Sequence, residues 1–290
     1  WKGGGPHRLA WRAFSTLRAL ARLKRRGVRI AWMVHNLAPH DLRGTRRLLW
    51  PLIRRRLADL TDGFLTLSPA TVAVVRATMP ALADKPGIGA WHPAYPVLPP
   101  LPDRAECRRE AGVEEADTLY AFLGMIRPYK GVKELIAAFR ADPRPRRRLL
   151  IAGHCGPPAF ARTIQALADS DARIDLRLGT LDDTRFVELT RAADVIVLPF
   201  RSYLHSGSMI HALSHGRPVL TPSAPFADAL AREVGPGWVT TYDGPLRPET
   251  LSDTARPTGE PNLDALRFDI LASATHALYA RLMHPPGSRA

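Results

Sequence analysis

From Thr118 to Thr221 the chain alternates short apolar runs with stretches of helical period, and few architectures accept that rhythm. Residues 119–123, 148–152, 174–178, 195–198 and 218–221 have strand length, and residues 132–140, 158–168, 183–192 and 208–215 lie between them as helices. Strands joined through helices run parallel, with right-handed crossovers and helices on both faces of the sheet, so the fold class is α/β. Upstream, residues 29–34, 63–67 and 87–91 read as further strands and residues 70–78 as a helix. The stretch HPAYPVLPPLP, with prolines at 93, 96, 99, 100 and 102, excludes a helix and marks a linker between domains.

Two strand-to-helix junctions carry the chemistry. In FLGMIRPYKG, a strand runs into Gly124, two cations follow at Arg127 and Lys130, and a helix begins at Val132. Backbone N–H groups and the positive end of a helix suit an anion there, and the two cations add fixed charge suited to a diphosphate. Solvated loop charges would give the same local pattern. A second junction, ADVIVLPFRSYLHSGSMIHALSHGRPVLTP, places Ser206, Gly207 and Ser208 at a helix start after another apolar strand. Ligands of open α/β sheets bind outside the carboxyl ends of the strands, so both loops can face one crevice.

The order FLG.IRPYKG.KELI.AF, then LLIAG, AADVIVLPF and SGS…ALS.GRPVL.P, over roughly residues 28–245, resembles the donor half of GT-B glycosyltransferases of the family 4 type found in bacterial polysaccharide biosynthesis. The resemblance implies two Rossmann-like domains facing a cleft. Residues 1–96 would form an acceptor-side domain that is short for its kind and incomplete. Residues 97–262 would form the donor domain, and residues 263–290 a closing helix that returns to the first. It makes Arg127 and Lys130 diphosphate ligands and Ser206, Gly207 and Ser208 backbone and hydroxyl donors, with Gly124 in the same loop. The family commonly carries two glutamates eight positions apart, one for the donor sugar and one for the ribose, where this chain has Tyr203 and His211. His211 can hydrogen-bond a ribose hydroxyl or simply fill space on a half-buried helix.

By topology, base recognition falls to the loops at Gly153 and His154 and at residues 179–182, and Pro225, Phe226 and Asp228 can line the sugar pocket. His35, in the loop VHNLAPHD, is placed near the donor sugar by the resemblance. Asp41 in the same loop is the candidate base for an inverting reaction, with an alternative role as a helix N-cap. No cofactor or metal is expected beyond the nucleotide-diphosphate sugar, since fixed cations and a helix end can stabilise the leaving diphosphate. Asp182 and Asp183 read as a helix cap.

Apolar content of 46% with 23% charged residues excludes a disordered chain. Absence of an apolar run of about 18 residues excludes an evident membrane-spanning helix. The opening residues lack a signal-peptide core, and two isolated cysteines suit a reducing compartment, so the expected location is cytoplasmic. Residues 1–100 hold 17 Lys and Arg against 4 Asp and Glu, whereas residues 101–290 hold 24 against 23. The basic stretches at 8–26 and 46–56 interleave Trp, Phe and Leu with Arg at near-helical spacing, which describes helices able to lie on an anionic membrane as well as ordinary amphipathic helices. No nucleic-acid motif accompanies the charge, so no nucleic acid is expected as a partner. The expected function is transfer of a sugar to a glycan or lipid-linked acceptor by an enzyme peripheral on the inner membrane. The rivals are a nucleotide-sugar epimerase of the same fold and a polyanion-binding module.

Overall fold

The computed structural model describes residues 6–39, 45–97, 103–252, 254 and 257–284. The chain forms two compact units, one of Trp1–His92 with Leu266–Ala290 and one of Pro93–Ala265.

The first unit contains α1 (Pro6–Arg25), β1 (Ala31–Met33), α2 (Thr45–Leu60), β2 (Gly63–Thr66), α3 (Thr71–Thr78) and β3 (Gly87–Gly89). The strands form a parallel sheet in the order β1-β2-β3. The closing helix of the chain, residues Phe268–Met283, lays Leu278 and Leu282 on this sheet against Leu65, Ala31, Met33 and Ile88. Asp62 ties α1 to β1: it accepts from the Ile30 backbone at 2.9 Å and from Lys24 Nζ at 3.0 Å, and these bonds hold its carboxyl below the usual range against the opposing effect of burial. Helices α1 and α2 pack on each other but leave Trp11 (70% exposed), Phe14, Leu48 (76% exposed) and Leu52 in solvent. Arg12, Arg18, Arg22, Arg47, Arg55 and Arg56 are exposed on the same two helices.

The second unit opens with α4 (Arg104–Glu110), capped by Asp103, whose side chain accepts from the Glu106 N–H at 3.0 Å. It continues with β4 (Thr118–Leu123), α5 (Val132–Arg140), β5 (Arg147–Gly153), α6 (Pro158–Ala168), β6 (Ile174–Leu178), α7 (Asp183–Ala192), β7 (Val195–Val197), α8 (Gly207–Ser214), β8 (Val219–Pro222), α9 (Pro225–Val234), β9 (Val239–Tyr242) and α10 (Pro248–Ser252); the closing helix is then α11. Every pairing in its sheet is parallel, in the order β6-β5-β4-β7-β8-β9. The central strands are buried on both faces, with Phe122, Leu149, Ile151 and Val197 fully enclosed, as a sheet covered on both sides requires. The chain starts this sheet at β4, builds outward through β5 and β6, then returns to lay β7 on the other side of β4. The order therefore reverses between β4 and β7, and the crevice of a doubly wound sheet opens at that reversal.

The two loops at the reversal are fastened together. Gly131 has φ +71°, and a Cβ placed there would lie 2.0 Å from the carbonyl oxygen of Pro199, so the loop after β4 rests backbone to backbone on the loop after β7. The Arg201 N–H donates to the Tyr129 carbonyl at 3.1 Å across the same contact, and the Arg201 guanidinium pairs with Glu134 at the start of α5. Gly131→Ala should cost about 2 kcal/mol or more, from strain at positive φ together with the clash, read as a lower urea midpoint with an unchanged m-value.

Candidate active site

Lys130 sits at the fastened reversal point. Its ammonium lies 5.0 Å from the centre of the Phe200 ring and 6.0 Å from that of Phe122, and no carboxylate among the described residues pairs with it. Burial, with a smaller contribution from neighbouring Arg127, pushes its pKa down to about 8. Aromatic faces compensate part of the desolvation of a cation, but a charge held in this way is poorly neutralised and favours an incoming anion. Arg127 also lacks a carboxylate partner among the described residues. Its guanidinium lies where Gly156 has no side chain, since a Cβ there would fall 1.8 Å from its terminal nitrogen. This contact with Gly156 holds the Arg127 head over the loop after β5.

The remaining residues at the strand ends fall into place around this pair. Gly124 follows β4, and its N–H donates to the Ala152 carbonyl at 2.9 Å, while the Ile126 N–H donates to the His154 carbonyl at 2.9 Å. Gly153, at φ +144°, brings its Cα so near Gly124 that a Cβ would meet the Gly124 oxygen at 1.9 Å. Gly124, Arg127, Lys130, Gly153 and His154 thus belong to one continuous rim, and the His154 side chain is exposed on it.

On the β7 side, Ser206 is the N-cap of α8: its buried hydroxyl accepts from the Met209 N–H at 3.3 Å. That bond satisfies one N-terminal donor and leaves the N–H groups of Gly207 and Ser208, which have no intrahelical acceptor, at the positive end of the helix. Tyr203 donates its hydroxyl to the Pro222 carbonyl at 2.8 Å, its ring meets Phe200 and Phe226 edge-on, and burial pushes its pKa up to about 12. It is a neutral strut between the ends of β7 and β8. His211 stacks on His215 with ring centres 4.3 Å apart and meets Phe186 edge-on at 4.7 Å; burial, then His215, lowers its pKa to about 4. His211 is therefore an uncharged imidazole at neutral pH. Phe186 in turn reaches within 3.8 Å of the Cβ position of Gly124, so His211 belongs to the margin of the same crevice.

Of the two proposed catalytic positions, His35 lies in the first unit just past β1, with an exposed side chain, and Asp41 lies outside the described residues. Asp182 caps α7, accepting from the Arg185 N–H at 2.7 Å. Among the described residues no group of three or more His, Cys, Asp or Glu is placed to hold a metal ion. Sequence reasoning passed over Phe200, which supports Lys130, and Arg201, which locks the two loops. Both stand directly after the VIVLP strand, and that position was their only signal.

A six-stranded parallel sheet with cations at its reversal point, in a chain that carries a second parallel α/β unit, is the GT-B fold, and solved structures of that fold superpose on this chain. Within that class, residues 117–245 match the family Glycosyl transferases group 1. A GDP-mannose:glycolipid 4-beta-D-mannosyltransferase of Xanthomonas campestris pv. campestris is 30% identical over 233 residues, covering 80% of this chain and 61% of that protein. A D-inositol 3-phosphate glycosyltransferase of Corynebacterium efficiens is 36% identical over 130 residues, 41% of this chain and 30% of its own length. The chain thus spans about three fifths of the length of the mannosyltransferases it matches. Among solved structures, Anabaena HepE in complex with UDP-glucose superposes with a TM-score of 0.67 at 16% identity, over 93% of this chain and 76% of that one. WaaG, a glycosyltransferase involved in lipopolysaccharide biosynthesis, superposes with a TM-score of 0.61 at 16% identity, over 92% and 77%.

Lys130→Met should make the apo protein more stable by about 1 kcal/mol near pH 7, because it removes a poorly neutralised buried charge. The wild-type penalty is complete below pH 8 and is relieved as pH rises towards the ordinary lysine value of 10.5, since in that window the unfolded chain binds a proton that the folded chain has released. The stability gap between wild type and variant should therefore narrow between pH 8 and 10.5. Urea titrations at both ends of that window check it.

Proposed function

We propose that the chain is the donor-binding part, with a portion of the acceptor side, of an enzyme that transfers a sugar from a nucleoside-diphosphate sugar to a lipid-linked glycan. The observation that carries this reading is the pairing of Lys130 and Arg127, without carboxylate partners among the described residues, with the free N–H groups of Gly207 and Ser208 at the reversal of one sheet. A leaving diphosphate gathers negative charge as the glycosidic bond breaks, and preorganised cations and N–H dipoles stabilise that charge without a metal. Gly124, Gly153 and His154 bound the side of the crevice where the nucleotide base lies, and Tyr203 and His211 border the sugar and ribose.

The matching mannosyltransferases favour GDP-mannose as donor and a glycolipid as acceptor. Their named product is a beta-mannoside, and an α-linked sugar nucleotide yields a β-linked product only by inversion at the anomeric carbon. Inversion requires a base on the acceptor hydroxyl, the role proposed for Asp41, with His35 in the same loop of the sequence.

A lipid-linked acceptor calls for access to a membrane surface, and among the described residues no helix is long and apolar enough to cross one. Trp11, Phe14, Leu48 and Leu52, set among exposed arginines on α1 and α2, form a surface suited to the inner, anionic face of the cytoplasmic membrane.

Two measurements test this. Arg127→Ala and Lys130→Ala should each weaken binding of GDP or GDP-mannose by about 1–3 kcal/mol in calorimetry, as loss of a charge-assisted phosphate contact does, and unchanged affinity in both removes the donor site. The wild-type affinity should also decline as pH rises above about 8, while that of the Lys130→Ala variant declines less. Replacing Trp11 and Phe14 together with Ala should release the protein from vesicles containing anionic lipid and leave nucleotide affinity intact. Loss of both properties together would make these side chains structural.

A further inference from the structure

At the opposite edge of the donor sheet, where the strands begin, lies a cavity of about 610 Å³. Its wall is built from the residues that lead into four strands: Thr118 at the start of β4, Asp194 before β7, Arg217 before β8 and Trp238 before β9, with Arg191 from the last turn of α7. Strand β4 separates this cavity from Lys130 by its length of six residues, roughly 20 Å.

Arginines are common at such an edge because helices end there and their last carbonyls accept hydrogen bonds. Arg108 shows that role fulfilled: it is buried, donates to the carbonyls of Ala192, Glu114 and Asp117 at 2.7–3.1 Å, and pairs with Asp194 at 3.0 Å. Arg217 differs. It reaches only two carbonyls, His215 at 3.4 Å and Ala193 at 3.3 Å, and among the described residues it has no carboxylate within ion-pair distance. Asp194, a carboxylate on the same wall, is already shared between Arg104 at 2.7 Å and Arg108 at 3.0 Å, and also accepts from the Leu119 N–H. Arg147, also on the wall, is matched by Asp142 at 2.7 Å. Glu260 is exposed on the rim. Burial, then the crowding of Arg104 and Arg191, pulls the pKa of Arg217 down to about 10.

We propose that this cavity is a second anion site, distinct from the donor crevice, that takes a small soluble phosphorylated molecule with a phosphate on the Arg217 guanidinium. A planar guanidinium facing a void suits a phosphate through paired N–H donors, and the volume accommodates a phosphate ester with its organic part. A ligand here touches the segments that precede β4, β7 and β8, whose other ends hold Lys130 and the start of α8. The site is therefore placed to couple to donor binding through those strands.

The probe is pyrophosphate, which both sites should accept, titrated into the full chain by calorimetry. The Lys130→Ala protein should still bind it, and adding Arg217→Met to that variant should lower the remaining affinity at least about tenfold. Thr254→Glu, which sets a carboxylate on the cavity wall and removes no guanidinium, should have the same direction of effect and covers the case in which the Arg217 variant folds poorly. If Lys130→Ala abolishes all pyrophosphate binding, the second site is overturned and the donor reading stands. If Lys130→Ala binds as wild type does and Arg217→Met or Thr254→Glu loses binding, the second site stands and the donor reading falls. Residual binding in Lys130→Ala that neither Arg217→Met nor Thr254→Glu weakens also overturns the second site.

Discussion

A lysine held among aromatic rings, without a counter-charge among the described residues, is the constraint around which the second unit is arranged. Taking an ammonium out of water is costly, and rings at 5.0 and 6.0 Å return only part of that cost. The fold sustains the arrangement because the surrounding backbone is fixed on both sides. Gly131 is pressed on Pro199, Arg201 bonds Tyr129, and the strands that lead into both loops are fully buried. The same fastening holds the loop after β7, from which α8 starts, so the dipole of that helix and the charge of the lysine both belong to the reversal point.

Tyr203 and His211, at the two positions where the sequence resemblance implies acidic groups, both lie beside that site. Tyr203 is committed to Pro222 and His211 to a stack of rings, and both are uncharged at neutral pH. An acidic group at either position would add negative charge to the margin of the crevice. Neutral residues leave the full cationic potential to the ligand. In place of carboxylates, the rings of Phe200, Tyr203 and Phe226 meet edge-on at that margin.

Much of this was legible in the residues themselves. The buried central strands announce themselves because a sheet covered on both faces demands continuous apolar runs, and 119–123 and 195–198 are such runs. Strand β9 escaped notice because VTTY is short and, apart from Val239, only half buried, so that it lacks either an apolar run or clean alternation. Helix α4 escaped because RAECRRE is seven residues of mostly charged sequence, held in place by Arg108 and its cap Asp103 and not by an apolar stripe. The cations at Arg127 and Lys130 could be seen, but not their lack of carboxylate partners among the described residues, because ion pairing is decided by residues distant in the chain. Nor could the Tyr129–Arg201 bond be seen, since a backbone hydrogen bond between loops leaves no mark on residue type.

The choice of lysine at position 130 also follows from the geometry. An arginine there would keep its charge at any ordinary pH, and in the empty crevice that charge would remain without a partner. Lysine can release its proton when burial becomes too unfavourable, and a pKa of about 8 places that release just above neutrality. A diphosphate entering the crevice reverses the balance, since an adjacent dianion favours the protonated form and raises the pKa again. Protonation and ligand binding are thereby linked at one atom, and above about pH 8 the ligand-free protein sheds a penalty that a permanent charge would keep. Arg127, seated on Gly156, carries a guanidinium, which supplies a charge that persists at any ordinary pH.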